Sequence, residues 1–168
     1  MGKIGSKSAN YFDTDVTVSI LSIKQIIETG ILTPHNSSHP FFRPCVGQIL
    51  IELRDLLHKA DRLGKRVTFC DDVLPKDGKQ RDVTDLITDC RNAVCHISSG
   101  IHIFEQNKFT FNVVAGYFPN AISINGHTMG CDYADDIAVL WGSLRLYVHR
   151  HLLRAFVEIE KKFPNPWS

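Results

Sequence analysis

Residues 135–162, DDIAVLWGSLRLYVHRHLLRAFVEIEKK, decide the predicted fold, because they form the longest stretch with apolar residues at helical spacing. The apolar positions that follow this spacing are Ile137, Leu140, Trp141, Leu144, Val148, Leu152, Ala155, Phe156 and Ile159. The pattern predicts one long helix from about Asp135 to Lys162. Asp135 and Asp136 would suit the dipole at its N-terminus, and Lys161 and Lys162 would suit the C-terminus.

Three segments upstream also predict helices, because their apolar residues recur on one helical face. The first spans about residues 15–28 and the second about residues 44–63, and each is followed closely by a glycine that would end it. The third begins after Asp82, which occupies an N-cap position, and ends before Gly100.

The segment between the third and the last predicted helix has a different pattern. Residues 101–104 and 108–113 alternate around Gln106-Asn107, as in a β-hairpin, and residues 121–124 predict a third short strand. The predicted fold class is therefore mainly α, a four-helix bundle with a small β-hairpin insertion before the last long helix. We expect one domain over residues 1–168, with a flexible N-terminus over residues 1–12.

The composition excludes several classes of protein. A chain of 168 residues with 43% hydrophobic and 22% charged residues is typical of a globular protein, not of a disordered one. Without an apolar run of about 20 residues, we expect no membrane span. Five scattered cysteines without a C-x-x-C pair favour a cytoplasmic protein, and we predict no metal site and no cofactor. At a net charge of +1, any RNA binding must depend on local positive charge.

The third predicted helix carries Arg91-Asn92-Ala93-Val94-Cys95-His96, which combines a guanidinium, an amide and an imidazole. A guanidinium matches two phosphate oxygens, and an imidazole transfers protons near neutral pH. At about 100° per residue, Asn92 and His96 share a face, whereas Arg91 lies roughly 140° from His96. One helix therefore cannot direct Arg91 and His96 at one atom, unless it ends at the histidine or a second copy supplies the missing group. This geometry favours a dimeric site.

An Arg, a polar residue, three further residues and a His at the end of a helix resemble the Arg-x4-6-His pattern of the HEPN superfamily. The resemblance implies an all-helical, metal-independent endoribonuclease in which the motifs of two protomers form one RNA cleft. It assigns the catalytic roles to Arg91, Asn92 and His96. Within the family, the chain is similar to small bacterial, plasmid-borne members, which implies bacterial defence or a toxin–antitoxin pair, with an antitoxin or inhibitor protein as partner. A subset of the family carries a modified Tyr after the His, but Ile97 stands there in this chain.

Cleavage without a metal needs a base for the ribose 2′-hydroxyl, a cation for the phosphorane and an acid for the leaving oxygen. With two motifs in a homodimer, one His96 would be the base and the other the acid, giving a 2′,3′-cyclic phosphate and a 5′-hydroxyl. Two alternatives remain open: a non-catalytic HEPN-like module that binds RNA or a nucleotide, and an interaction scaffold. The module would bind RNA through Arg91 without turnover, and in the scaffold the motif would serve the dimer interface. In a purely structural role, Arg91 and His96 would pair with Asp85, Asp89 or a neighbour.

Four further residues are candidates for RNA contact. Arg145, His149 and Arg150 belong to a part of the last predicted helix without acids, where Arg145 and His149 would share a face at i, i+4. His102 follows the motif in the predicted hairpin. For each of them, a place on a solvated surface is the simpler explanation.

Overall fold

The computed structural model describes residues 14–163, so the predicted flexible N-terminus over residues 1–12 lies outside the described residues. The helices, in chain order, are α1 (Thr14–Glu28), α2 (Phe42–Arg62), α3 (Val83–Cys95) and α4 (Arg154–Glu160). The strands are β1 (Ile103–Phe104), β2 (Asn107–Lys108), β3 (Asn112–Ala115), β4 (Phe118–Ile124), β5 (His127–Cys131), β6 (Ile137–Trp141) and β7 (Leu144–Tyr147). Short 3₁₀ turns cover Pro34–Asn36 and Gly100–His102, and a π-helical segment, Val148–Leu153, leads into α4.

The first three predicted helices are present. The Asp82 carboxylate accepts the backbone N–H of Asp85, so Asp82 caps α3 as its position in the sequence indicated. α2 packs against α1 and α3, and fully buried side chains such as Ile23, Leu50 and Ile87 form the core between them. Within residues 14–163, no helix combines the length and the apolar character that crossing a bilayer requires.

The predicted long helix over residues 135–162 is wrong. β6 and β7 pair as an antiparallel hairpin, and Trp141 lies opposite Leu144, which leaves Gly142-Ser143 as a two-residue turn. Gly142 has a φ of +54°, and a Cβ at this position would lie 2.3 Å from the carbonyl oxygen of Ile101. Two constraints therefore require glycine at position 142: the positive φ of the turn and the close approach of its backbone to that of Ile101.

The helical pattern misled because β6 is buried on both faces. Ile137, Val139 and Trp141 belong to the main core with the helices, whereas Ala138 and Leu140 pack in a second cluster with residues from β5 and β7. A strand covered on both sides has a continuous apolar run, and such a run fits a helical period as well as a strand.

The β structure is also more extensive than one hairpin. β1 and β2 form only a short hairpin, and β3, whose residues were expected to continue it, pairs instead with β6. The predicted strand over residues 121–124 lies in β4, which pairs with β5 around Asn125-Gly126. The described residues contain a three-stranded sheet in the order β3-β6-β7 and two separate hairpins. The prediction of a mainly α four-helix bundle with one small hairpin insertion is therefore wrong, and the fold combines helices with antiparallel β structure.

A buried carboxylate joins the sheet to the final helical segment. Asp136 is fully buried, and its Oδ1 accepts the backbone N–H groups of Ile137 at 2.7 Å and His149 at 2.8 Å. Its Oδ2 accepts the backbone N–H of Arg150 at 3.0 Å and Nη1 of the same residue at 3.1 Å. Asp136 therefore binds the first turn of the π-helical segment, across the β6–β7 hairpin, and not the N-terminus of a helix that begins at Asp135, as the sequence predicted.

Asp136→Ala should destabilise the fold far more than Asp135→Ala. Removing the buried carboxylate leaves three backbone N–H groups and Nη1 of Arg150 without this acceptor, which should cost about 3–5 kcal/mol of unfolding free energy. The Asp135 side chain is 76% exposed and pairs with Arg150 at the surface, so its loss should cost less than about 1 kcal/mol. Urea denaturation of both variants measures the difference, and equal losses would contradict the assigned role of Asp136.

Gly142→Ala should also be more costly than Gly126→Ala, although both glycines have a positive φ. At Gly126 a Cβ meets nothing within 4 Å, so the cost should be the backbone strain alone, on the order of 1 kcal/mol. At Gly142 the Cβ would collide with the backbone of Ile101 and His102, so the loss should be several times larger. Thermal and urea denaturation of the pair test this, and similar losses would show that the Gly142 turn is not held against that backbone.

Candidate functional site at the end of helix α3

The motif lies where α3 ends. The last helical residue is Cys95, and His96 is the C-cap residue, with φ −126° and ψ 71°. Its backbone N–H still donates to the carbonyl of Asn92 at 2.9 Å, so the helical ladder reaches His96 and stops there. The end of the helix at the histidine is one of the two conditions under which Arg91 and His96 could act on one atom, and the other is a second copy that supplies the missing group.

In the part of the chain that the structure describes, Arg91 and His96 form no ion pairs. The Nη1 of Arg91 lies 3.5 Å from Oδ1 of Asn92, a long contact, and its Nε is buried without a hydrogen-bond partner among the described residues. Within residues 14–163, no carboxylate lies in salt-bridge distance of Arg91, and the ring of His96, an exposed residue, has no hydrogen bond. The charge on Arg91 and the nitrogens of His96 therefore remain available to a ligand.

The acids of α3 are bound to other cations. Asp85 accepts Nη2 of Arg66 at 2.6 Å, and Asp89 pairs with both Lys76 and Arg81. The alternative in which Arg91 or His96 pairs with these acids is therefore not what the described residues show. It follows that the negative charge on this helix is compensated by the connector between α2 and α3.

His102 is close to the motif but does not face solvent. Its side chain is fully buried, with Nε2 3.2 Å from the carbonyl oxygen of His96 and Nδ1 3.3 Å from that of Phe109. A buried ring between two backbone carbonyls does not offer a nitrogen to RNA at the surface.

Arg145 and His149 do not share a helical face, because Arg145 lies on β7 and His149 lies in the π-helical segment. Arg145 binds Asp132 at 2.7 Å and stacks on the ring of Tyr147. Burial and a hydrogen bond to Asp132 raise the pKa of Tyr147, so this phenol stays protonated. Arg145 therefore binds Asp132 and Tyr147 within the fold, and its side chain is only 14% exposed.

His149 and Arg150 are likewise engaged in the fold. The His149 ring nitrogens lie 2.9 Å from the carbonyl oxygen of Asp135 and 3.1 Å from that of Leu32. Arg150 binds Asp135 and Asp136 and stacks over an aromatic ring. Burial alone would lower the pKa of Arg150, but the hydrogen bonds to Asp136 and Asp135 outweigh it and raise that pKa. Both side chains are therefore structural in this conformation.

A cleft of about 720 Å³ lies on another part of the surface, between the connector before α3 and the β5 and β7 strands. Its polar lining includes Lys76, Arg81 and Arg145, but Arg91, Asn92 and His96 do not line it. Lys76 and Arg81 share the Asp89 carboxylate, and Arg145 is bound to Asp132, so little positive charge is left over. The cleft and the motif are separate features, and the sequence pattern did not indicate the cleft.

The cysteines beside the motif differ in accessibility. Cys90 is fully buried on α3, and this burial raises the pKa of its thiol, whereas Cys95 is exposed next to His96. Among the described residues, no group of three or more His, Cys, Asp or Glu side chains is arranged to hold a metal ion. The groups available for chemistry at the end of α3 are therefore the guanidinium, the amide, the imidazole and one exposed thiol.

In comparisons with known proteins, no family model, no curated protein and no solved structure matches this chain. The assignment of Arg91, Asn92 and His96 therefore depends on their chemistry and on the geometry at the end of α3.

Proposed function

We propose that the protein is a metal-independent endoribonuclease of the cytoplasm that acts as a homodimer, with Arg91, Asn92 and His96 of two protomers forming the site. One observation supports this most directly. Arg91 and His96 remain without carboxylate partners among the described residues, although Asp85 and Asp89 lie on the same helix and are paired with other cations. From the HEPN resemblance the proposal takes the chemistry of the motif, the pairing of two motifs and the biological role, but not the fold, because the fold differs from an all-helical bundle.

Each motif residue has a defined task in this reaction. His96 takes the proton from the ribose 2′-hydroxyl, and the attacking oxygen forms a bond to phosphorus while the bond to the 5′-oxygen breaks. Arg91 donates to the phosphorane oxygens, where charge accumulates. Asn92, next to the guanidinium, hydrogen-bonds the phosphate or the sugar. The products are a 2′,3′-cyclic phosphate and a 5′-hydroxyl.

The need for both a base and an acid supports the dimer. One protomer contributes a single exposed imidazole at the motif, because the neighbouring His102 is buried. A second copy of the motif would supply the acid that protonates the leaving oxygen.

The presence of one guanidinium and one exposed imidazole in each protomer also defines the alternative function. If the protein stays monomeric, the site has a cation and one proton-transfer group, which suits binding of RNA or a nucleotide without turnover. A role in bacterial defence or as the toxin of a toxin–antitoxin pair, neutralised by an antitoxin or inhibitor protein, belongs to the nuclease proposal and follows from the resemblance of the motif.

His96→Ala should abolish cleavage of a mixed RNA pool in the presence of EDTA, with a loss of at least about 100-fold, because the reaction loses its base. Arg91→Ala should reduce cleavage by a similar order, because the phosphorane charge loses its cation. His35→Ala, which removes another exposed histidine in the turn after α1, is the matched control and should keep full activity. Chemical analysis of the product ends should find the cyclic phosphate.

Three results would count against this function. Full activity of His96→Ala would exclude the assigned base, and cleavage only after addition of a divalent cation would exclude the metal-independent reaction. RNA that is bound through Arg91 but not cleaved by the wild type would favour the binding module. Sedimentation at the assay concentration tests the dimer, and an active monomer would contradict the composite site.

A further inference from the structure

We propose that His102 is a positioning residue for His96. Its buried ring holds the backbone carbonyl of His96 and thereby fixes the direction in which the His96 side chain leaves the end of α3. This inference rests on the proposed nuclease function for its kinetic test, but it also has a spectroscopic test that needs no activity.

The ring of His102 connects two parts of the chain. On one side, Nε2 lies 3.2 Å from the carbonyl oxygen of His96 at the end of α3. On the other side, Nδ1 lies 3.3 Å from the carbonyl oxygen of Phe109, which also accepts the backbone N–H of Gly142 at 2.9 Å. The backbone of His102 is itself fixed, because its carbonyl accepts the N–H of Phe109 at 2.8 Å. The ring therefore connects the end of α3 to the 3₁₀ turn over Gly100–His102 and to Phe109.

The contact with His102 restrains the backbone of His96. His96 is the C-cap residue: its backbone N–H is the last to donate in the helical ladder, and its φ of −126° and ψ of 71° turn its carbonyl group away from the helical direction. That carbonyl accepts the N–H of Ser99 at 3.0 Å and lies 3.2 Å from Nε2 of His102, so a proton on Nε2 would give it a second donor. A carbonyl group held in this way fixes the carbonyl carbon of His96, and the N, Cα and carbonyl carbon atoms together determine the direction of the Cα–Cβ bond.

The two nitrogens of His102 need not contribute equally. A neutral imidazole carries one N–H, so it donates to one of the two carbonyls, and only an imidazolium donates to both. The positioning role requires the proton on Nε2, because this nitrogen faces His96. A purely structural role of the ring would depend equally, or mainly, on the bond from Nδ1 to Phe109.

Two substitutions separate these bonds. In His102→Gln, the amide nitrogen reaches the place of Nε2 and keeps a donor for the His96 carbonyl. In His102→Asn, the amide nitrogen takes the place of Nδ1 and keeps a donor only for Phe109. We expect kcat of His102→Gln to stay within about threefold of the wild type, and kcat of His102→Asn to fall roughly tenfold or more with KM unchanged, because the base is misplaced while RNA is still bound.

The spectroscopic test follows the His96 ring by ¹⁵N NMR of histidine-labelled protein. The ring signals of His96 should move in His102→Asn and stay close to the wild-type positions in His102→Gln. Equal kcat values and equal His96 signals in the two variants would overturn the proposal, as would losses of kcat that only follow the folded fraction measured by thermal denaturation.

The outcomes for the two proposals are distinguishable. If the wild type cleaves no RNA, the nuclease function fails, but a His96 signal that responds to His102→Asn and not to His102→Gln still supports the positioning role. If neither variant folds, the NMR spectrum of the wild type tests the positioning role of His102. A slowly exchanging proton on Nε2 of His102 is expected there, and a proton found on Nδ1 alone would overturn the inference.

Discussion

The carboxylate of Asp136 is the interaction on which the second half of the structure depends. It is fully buried and accepts three backbone N–H groups and one guanidinium donor, so its charge is compensated entirely by groups from β6 and the π-helical segment. These bonds hold the start of the π-helical segment, which follows the β6–β7 hairpin, next to the first residue of β6. The helical segment then leads into α4, which packs against α2 and completes the main core.

The fold could be predicted from the sequence only where one face of an element is apolar. α1, α2 and α3 each have a buried face and an exposed face, and their positions were found to within a few residues. β6 is covered on both faces, so its apolar run gave no period by which strand and helix could be distinguished. The turn residues between the strands distinguish strand from helix instead. Asn125-Gly126 and Gly142-Ser143 connect the strands of two hairpins, and both are turn sequences typical of two-residue loops.

The candidate site was predictable in its composition but not in its surroundings. The order of Arg91, Asn92 and His96 along α3 follows from the chain, and so does the possibility that the helix ends at the histidine. The pairing of Asp85 and Asp89 was not predictable, because their partners come from an irregular connector whose path has no periodic signal. The burial of His102 was hidden for a similar reason, since it depends on the non-local approach of Gly142 to Ile101 and His102.

The main core draws on both ends of the described chain, and this has a consequence for biosynthesis. Its members include Ile23 and Leu50 from the first helices, together with Val139 and Ile159 from β6 and α4. During translation, α1, α2 and α3 leave the ribosome well before β6 and α4, which cover their apolar faces. The nascent chain therefore exposes an unfinished hydrophobic layer until α4 emerges, and transiently exposed apolar surface of this kind is what chaperones bind.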